Sequence, residues 1–171
     1  IGLNILQASK LVSAWPIIAV DIFDNRLELA RKFGATHTIN SQKENLEVEL
    51  NKIIKEKSLD VFIDNTGIPE IIEKGYDLTH GKGRVILVGV PPKNSNIKIY
   101  SLPLHFGKII LGSHGGECTP EFDIPRYMKL LRNKKINFKG LVTSRYKLHE
   151  INIAIRNMRT GSSSGRILID L

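Results

Sequence analysis

Short apolar runs alternate with helical patterns along most of this chain, and that alternation restricts its fold more than any other feature. Runs that read as buried strands fall at residues 17–21, 36–39, 60–64, 84–89 and 108–112. Helical patterns lie at 25–33, 44–56 and 69–78. In "LEVELNKIIK", Leu46, Leu50, Ile53 and Ile54 recur at helical spacing and give one apolar face. A strand, a helix and a further strand in succession require a crossover connection. Repeated crossovers imply a parallel sheet with helices on both faces. The chain therefore reads as α/β, a doubly wound parallel sheet. Its 171 residues, 42% of them apolar, suffice for one domain or one domain with an appendage.

Local signals sharpen the pattern. Asp24 is placed to cap the helix at 25–33, and Gly34 to close it with a positive φ. Pro69 suits the first turn of its helix. After residue 112 the pattern changes. "SHGGECTPEFD" reads as a turn-rich link. A helix at 124–132, a short strand at 141–146, a helix at 149–158, a flexible "TGSSSG" and a last strand at 166–170 complete the chain.

Several function classes are disfavoured. No apolar run approaches the roughly 20 residues that cross a bilayer. The formal charge of +8 is spread along the chain, and aromatic residues are only 6%, so no nucleic-acid surface is expected. The single cysteine, Cys118, excludes an internal disulfide framework and fits a reducing cytoplasm. The five histidines, His37, His80, His105, His114 and His149, form no ligand pair at metal-binding spacing.

One stretch, "IIAVDIFDNR", places Asp21 where an apolar strand ends. In open parallel sheets, ligands sit beyond the carboxyl ends of strands. A carboxylate there can accept hydrogen bonds from a ribose diol and would repel a 2′-phosphate, which favours NAD over NADP. Asp21 could equally cap the following turn. Gly2 lies 19 positions earlier and opens a helical pattern. That is the relation between the third glycine of a Rossmann dinucleotide fingerprint and its acidic residue, roughly 20 positions on. The earlier glycines and the first strand would then precede residue 1.

Further along come "LELARKFGATHTIN", "DVFIDNTG", "GRVILVGVP", "GSHGGE" and the terminal "GRILIDL". Together with "IGLNILQASKLV" these resemble, across essentially all residues and in order, the cofactor half of the medium-chain, zinc-type alcohol and polyol dehydrogenases. The resemblance implies a Rossmann-like sheet lacking its first strand. It also implies an incomplete dinucleotide-binding domain at 1–113 and a segment at 114–171 that returns to a catalytic domain.

By position, the resemblance makes Gly2 the last fingerprint glycine and sets Asp21 against the adenosine ribose, with Arg26 beside it. Thr66 and Gly67 would line the path from adenine to ribose. Val88, Gly89 and Val90 would line the nicotinamide end, and Arg166 would pair with the pyrophosphate. His114 falls near a nicotinamide-side position of uncertain register. Each residue also has a plainer reading. Arg166 could be a solvated strand-end residue, Thr66 a helix cap, Arg26 a partner of surface acids, and Gly89 an ordinary strand-to-loop glycine.

The resemblance further implies a zinc-dependent parent enzyme acting on a small-molecule alcohol or polyol. That parent would be cytoplasmic and homo-oligomeric, with its zinc held outside this chain. The isolated chain is expected to bind cofactor but turn nothing over. Two alternatives stand beside this reading: the cofactor domain of a zinc-free quinone or enoyl reductase, and a nonenzymatic oligomerisation module. The missing first strand would leave rows of unpaired backbone groups, so the chain is expected to be a fragment or to be completed by another segment.

Overall fold

The computed structural model describes residues 1–55 and 58–171. By contact these form two compact units, Ile1–Ile53 with Ile124–Leu171, and Ile54–Asp123. This partition is by contact and is not the 1–113 and 114–171 division that the resemblance implies.

In the first unit, α1 (Gly2–Leu11) leads to β1 (Ile18–Asp21), α2 (Asp24–Lys32), β2 (His37–Asn40) and α3 (Leu46–Ile54). β1 and β2 pair in parallel, with Ile18 opposite His37 and Asp21 opposite Asn40. Leu6, Ile17, Ala30 and Ala35 form the core between helix and strand, with Leu3 and Ala19 against them. Gly34 closes α2 with φ +121°, as its position predicts, and a Cβ there would meet the Leu6 carbonyl oxygen at 3.1 Å. Its lack of a side chain therefore serves both the turn and the approach of α1. The expected end of the third helix, at residue 56, lies outside the described residues.

The same unit holds α5 (Pro120–Arg132) from Ile124 onward, with β6 (Val142–Lys147), α6 (Ile151–Arg159) and β7 (Arg166–Asp170). β6 and β7 are again parallel. α5 starts four residues before the predicted helix. The Thr119 carbonyl accepts from the amides of Phe122 and Asp123, and the Asp123 carboxylate reaches back to the Thr119 amide at 2.9 Å. Pro120 fits the first turn, where its missing N–H costs nothing.

The second unit holds β3 (Leu59–Asp64), α4 (Pro69–Leu78), β4 (Thr79–Leu87) and β5 (Ile109–Gly112). They pair in parallel in the order β3-β4-β5. α4 buries Ile72 and Tyr76, one turn apart, and Gly75 admits the Phe62 ring so closely that a Cβ would stand 2.1 Å from it. Lys108 ties the C-terminal end of α4 down. Its Nζ donates to the carbonyls of Tyr76 and Thr79 at 2.5 and 2.7 Å and sits 3.9 Å from the Tyr76 ring centre. Burial holds that ammonium below the ordinary lysine pKa.

Every pairing is parallel, as the alternation predicts. β1–β2 and β3–β4–β5 are each runs of parallel neighbours of the kind a doubly wound sheet contains. Among the described residues, β1 has β2 as its only strand partner and β3 has β4.

Two expectations need correction. Asp24 does not cap α2. It stands inside the first turn, and its carboxylate is taken by the Lys43 ammonium and by Asn40 Nδ2. Those hydrogen bonds hold its pKa below the usual carboxylate value. The turn amides go to Asp21 instead. "TGSSSG" is not a loose turn. Ser163 is buried, its hydroxyl meeting those of Thr143 and Ser144, and the Gly161 carbonyl accepts from Asn25. Gly161 has φ +76° and lies under the Phe23 ring, where any side chain would collide.

Candidate functional site

The carboxyl end of β1 is built around Asp21. Its Oδ1 accepts the amides of Ile22 and Phe23 at 2.8 and 3.1 Å, fixing the turn into α2. Among the described residues, its Oδ2 pairs with the Arg26 guanidinium, at 3.9 Å. That distance is an ion pair without a good hydrogen bond. The side chain stays 30% exposed. Asp21 thus holds the turn through Oδ1, while Oδ2 takes no part in that turn. Arg26 lies 4.7 Å from the centre of the Phe23 ring, which steadies the guanidinium beside the carboxylate. Ile22, between them in sequence, is 47% exposed and supplies an apolar surface.

In the same unit, Gly2 is the first residue of α1, and the first turn of that helix contains no acid. Arg166 opens β7, its amide donating to the Leu141 carbonyl at 2.7 Å. A helix N-terminus and a guanidinium together favour an anion. Gly2 at the start of α1 and Arg166 at the start of β7 belong to the same compact unit.

In the second unit, the turns after β3 and β4 are stacked backbone on backbone. Asp64 is 1% exposed. Its carboxylate accepts from the Thr66 amide at 3.0 Å, the Thr66 hydroxyl at 2.6 Å and the Gly67 amide at 2.9 Å. Its carbonyl accepts from Val88 and Gly89 at 2.8 and 3.1 Å. A Cβ on Gly89 would stand 2.2 Å from the Gly67 nitrogen, and one on Gly67, which has φ +72°, 2.6 Å from the Val90 carbonyl. The close approach that Gly89 permits is to the Thr66–Gly67 turn. Thr66 does not stand at the helix cap. The N-cap of α4 is Ile68, whose amide Thr66 Oγ1 accepts at 3.1 Å. Val90, beyond the stacked turns, is 87% exposed. His114 is exposed and precedes a short turn at Gly115–Glu117.

Sequence reasoning alone does not single out Asp64 or Phe23. A signal for Asp64 is present: "IAVD" and "VFID" are both apolar strands ending in aspartate, and "DNTG" is a turn that its own aspartate can bridge. Phe23 carries no such signal, because its contacts with Arg26 and Gly161 exist only after folding.

A family model described as zinc-binding dehydrogenase matches residues 1–133. The chain belongs to that family. S-(hydroxymethyl)glutathione dehydrogenase of Paracoccus denitrificans is 30% identical over 99% of this chain and 47% of its own length. L-threonine 3-dehydrogenase of Chromobacterium violaceum is 28% identical over 99% of the chain and 48% of its own length. Among solved structures, benzyl alcohol dehydrogenase from Acinetobacter calcoaceticus is 35% identical and superposes with a TM-score of 0.86 over 99% of this chain and 47% of that one. The chain thus spans about half the length of the dehydrogenases it matches. Its fold is the Rossmann-like α/β fold of their cofactor-binding half. Among the described residues no group of three or more His, Cys, Asp and Glu could hold a metal, so these residues do not fit a zinc site. No described helix is long and apolar enough to cross a membrane.

Proposed function

We propose that this chain binds NAD and orients it within an alcohol or polyol dehydrogenase. One observation carries the reading: at the carboxyl end of a parallel strand, Asp21 uses Oδ1 for two turn amides while, among the described residues, Oδ2 has the Arg26 guanidinium at 3.9 Å and no closer donor. An acceptor so placed suits the hydroxyls of an adenosine ribose. Gly2 at the start of α1 and Arg166 at the start of β7 would take the pyrophosphate. Val88, Gly89 and Val90 would carry the nicotinamide end, with exposed Val90 against the flat ring. The Thr66–Gly67 turn, which the resemblance sets on the path from adenine to ribose, is assigned to the same end here because it is stacked against Gly89 and Val90. Bound there, the nicotinamide gives or takes a hydride at C4. This chain's own residues bind the dinucleotide and fix its orientation.

In the proposed whole enzyme, residues 1–113 form the cofactor domain and 114–171 return to a catalytic domain that carries zinc. Exposed apolar side chains in the second stretch, Phe122, Ile153 and Met158 among them, support that division. Ile109 and Leu111 of β5, each more than 40% exposed, suit pairing between subunits. The enzyme is proposed to be cytoplasmic, and the 171-residue chain to have no turnover by itself.

One observation favours a second reading, a zinc-free reductase that prefers NADPH: Arg26 stands where a guanidinium could meet a 2′-phosphate. Fluorescence titration of the chain with NADH, with AMP as competitor, tests the main proposal. Saturable NADH binding that AMP displaces, and that weakens about tenfold in Asp21→Asn, is expected. Binding that AMP fails to displace would remove the adenosine site.

A further inference from the structure

We propose that Asp64 is the positioning residue of the nicotinamide end, setting the turns on which the ring is oriented without touching the cofactor itself. The inference rests on the assignment of Thr66–Gly67 and Val88–Val90 to that end.

The geometry carries it. One residue gathers five donors. Its carboxylate takes the Thr66 amide, the Thr66 hydroxyl and the Gly67 amide, and its carbonyl takes the amides of Val88 and Gly89. These donors belong to two turns that are far apart in sequence. Asp64 therefore joins the turn after β3 to the turn after β4 from beneath. The joint has no slack, because the Gly67 and Gly89 backbones already touch where a Cβ would fit neither. A carboxylate that is 1% exposed remains acceptable only because its oxygens are met by donors. The charge strengthens each bond and costs much if one is lost.

A second consequence concerns what these turns can recognise. The amides of Thr66, Gly67, Val88 and Gly89 are all committed to Asp64, and that of Ile68 to Thr66 Oγ1. Those five amides are not available to cradle a phosphate. The turns therefore suit the uncharged ring end of the dinucleotide better than its phosphates.

Asp64→Asn is the test. The amide keeps the shape but turns a donor toward a donor, so Thr66 or Gly67 must move. Titrations with NADH and with AMP separate positioning from stability, because AMP uses only the adenosine end. NADH binding is expected to weaken about tenfold or more. AMP binding, which depends on a separate contact unit, should stay within about twofold. Amide exchange at Thr66 and Gly67 should quicken ahead of the rest of the unit. Equal losses for both ligands, or no loss for either, would overturn the inference. If wild type binds neither ligand, the cofactor reading fails and takes this inference with it. Should Asp64→Asn not fold, Thr66→Val removes one donor and leaves the carboxylate with its two amides. It is expected to weaken NADH by roughly threefold with AMP again unmoved, and a parallel shift in both would overturn the proposal.

Discussion

Two strands of this chain, β1 and β3, each end in aspartate, and the two acids meet opposite fates. Asp21 gives one oxygen to a turn and leaves the other half-open beside Arg26. Asp64 is closed over, each of its oxygens engaged by its own turn. The difference lies in the residues just past each strand. After Asp21 come Ile22 and Phe23, whose amides reach a single oxygen, and then α2 starts at once. After Asp64 come Asn65, Thr66 and Gly67. The hydroxyl and the positive-φ glycine let the chain fold back on both oxygens. An acid at a strand end is therefore read as a ligand or as a staple only by counting the donors that reach it.

The largest expected effect comes from forcing the stacked turns apart. Gly89→Ala puts a methyl against the backbone of Gly67 and Thr66. Neither can yield as a flexible side chain would, so a loss of about 3 kcal/mol is expected in urea denaturation followed by circular dichroism. A loss under about 1 kcal/mol would show that the turns are loosely held.

Next in size is the contrast itself. Asp64→Asn should lower stability by about 2 kcal/mol, because a buried charge-assisted network loses a partner. Asp21→Asn keeps an oxygen for the turn amides and should cost only about 0.5 kcal/mol. Its effect belongs in cofactor affinity instead. Equal stability losses in the two variants would erase the distinction between staple and ligand.

Tyr76→Phe removes the hydroxyl that donates to the Tyr100 carbonyl at 2.8 Å. About 1 kcal/mol of stability should go, with NADH affinity unchanged. A change in affinity would tie the 91–101 loop to the cofactor.

The smallest effect concerns acid. Asp24 titrates below its ordinary value of 3.8 because Lys43 and then Asn40 bond its ionised form. The unfolded chain takes up the proton first. The contribution is thus fully present above the ordinary value and is lost as pH falls through the lowered one. Asp24→Asn should flatten that part of the acid limb of a stability–pH curve, and an unchanged limb would show the pairing to be negligible.

Most of the architecture was legible because buried parallel strands write themselves as apolar runs. Residues 17–21 and 60–64 fall within a residue of β1 and β3. Pro69 and Leu78 bound α4 as predicted, since proline at the first turn is a strong local signal. What was misread depends on partners distant in sequence. Asp24 looked like a cap because its neighbours invite one, yet Asn40 and Lys43, brought close by β2, hold it elsewhere. "TGSSSG" looked loose because serines and glycines often are. Its order comes from Thr143, Ser144, Asn25 and Phe23, none of them adjacent in sequence. The sequence marks Asp21 as a candidate because chemistry and position coincide there, and passes over Asp64 because its five donors come together only after folding.

The measurement closest to the centre of this account is a paired titration of the chain with NADH and NADPH, in wild type and in Asp21→Asn. A half-open carboxylate beside the ribose should hold NADPH at least about tenfold weaker than NADH, and the gap should close when the charge is removed. NADPH binding as tight as NADH in the wild type, or a gap that survives Asp21→Asn, would contradict the assignment of Asp21 to the adenosine ribose.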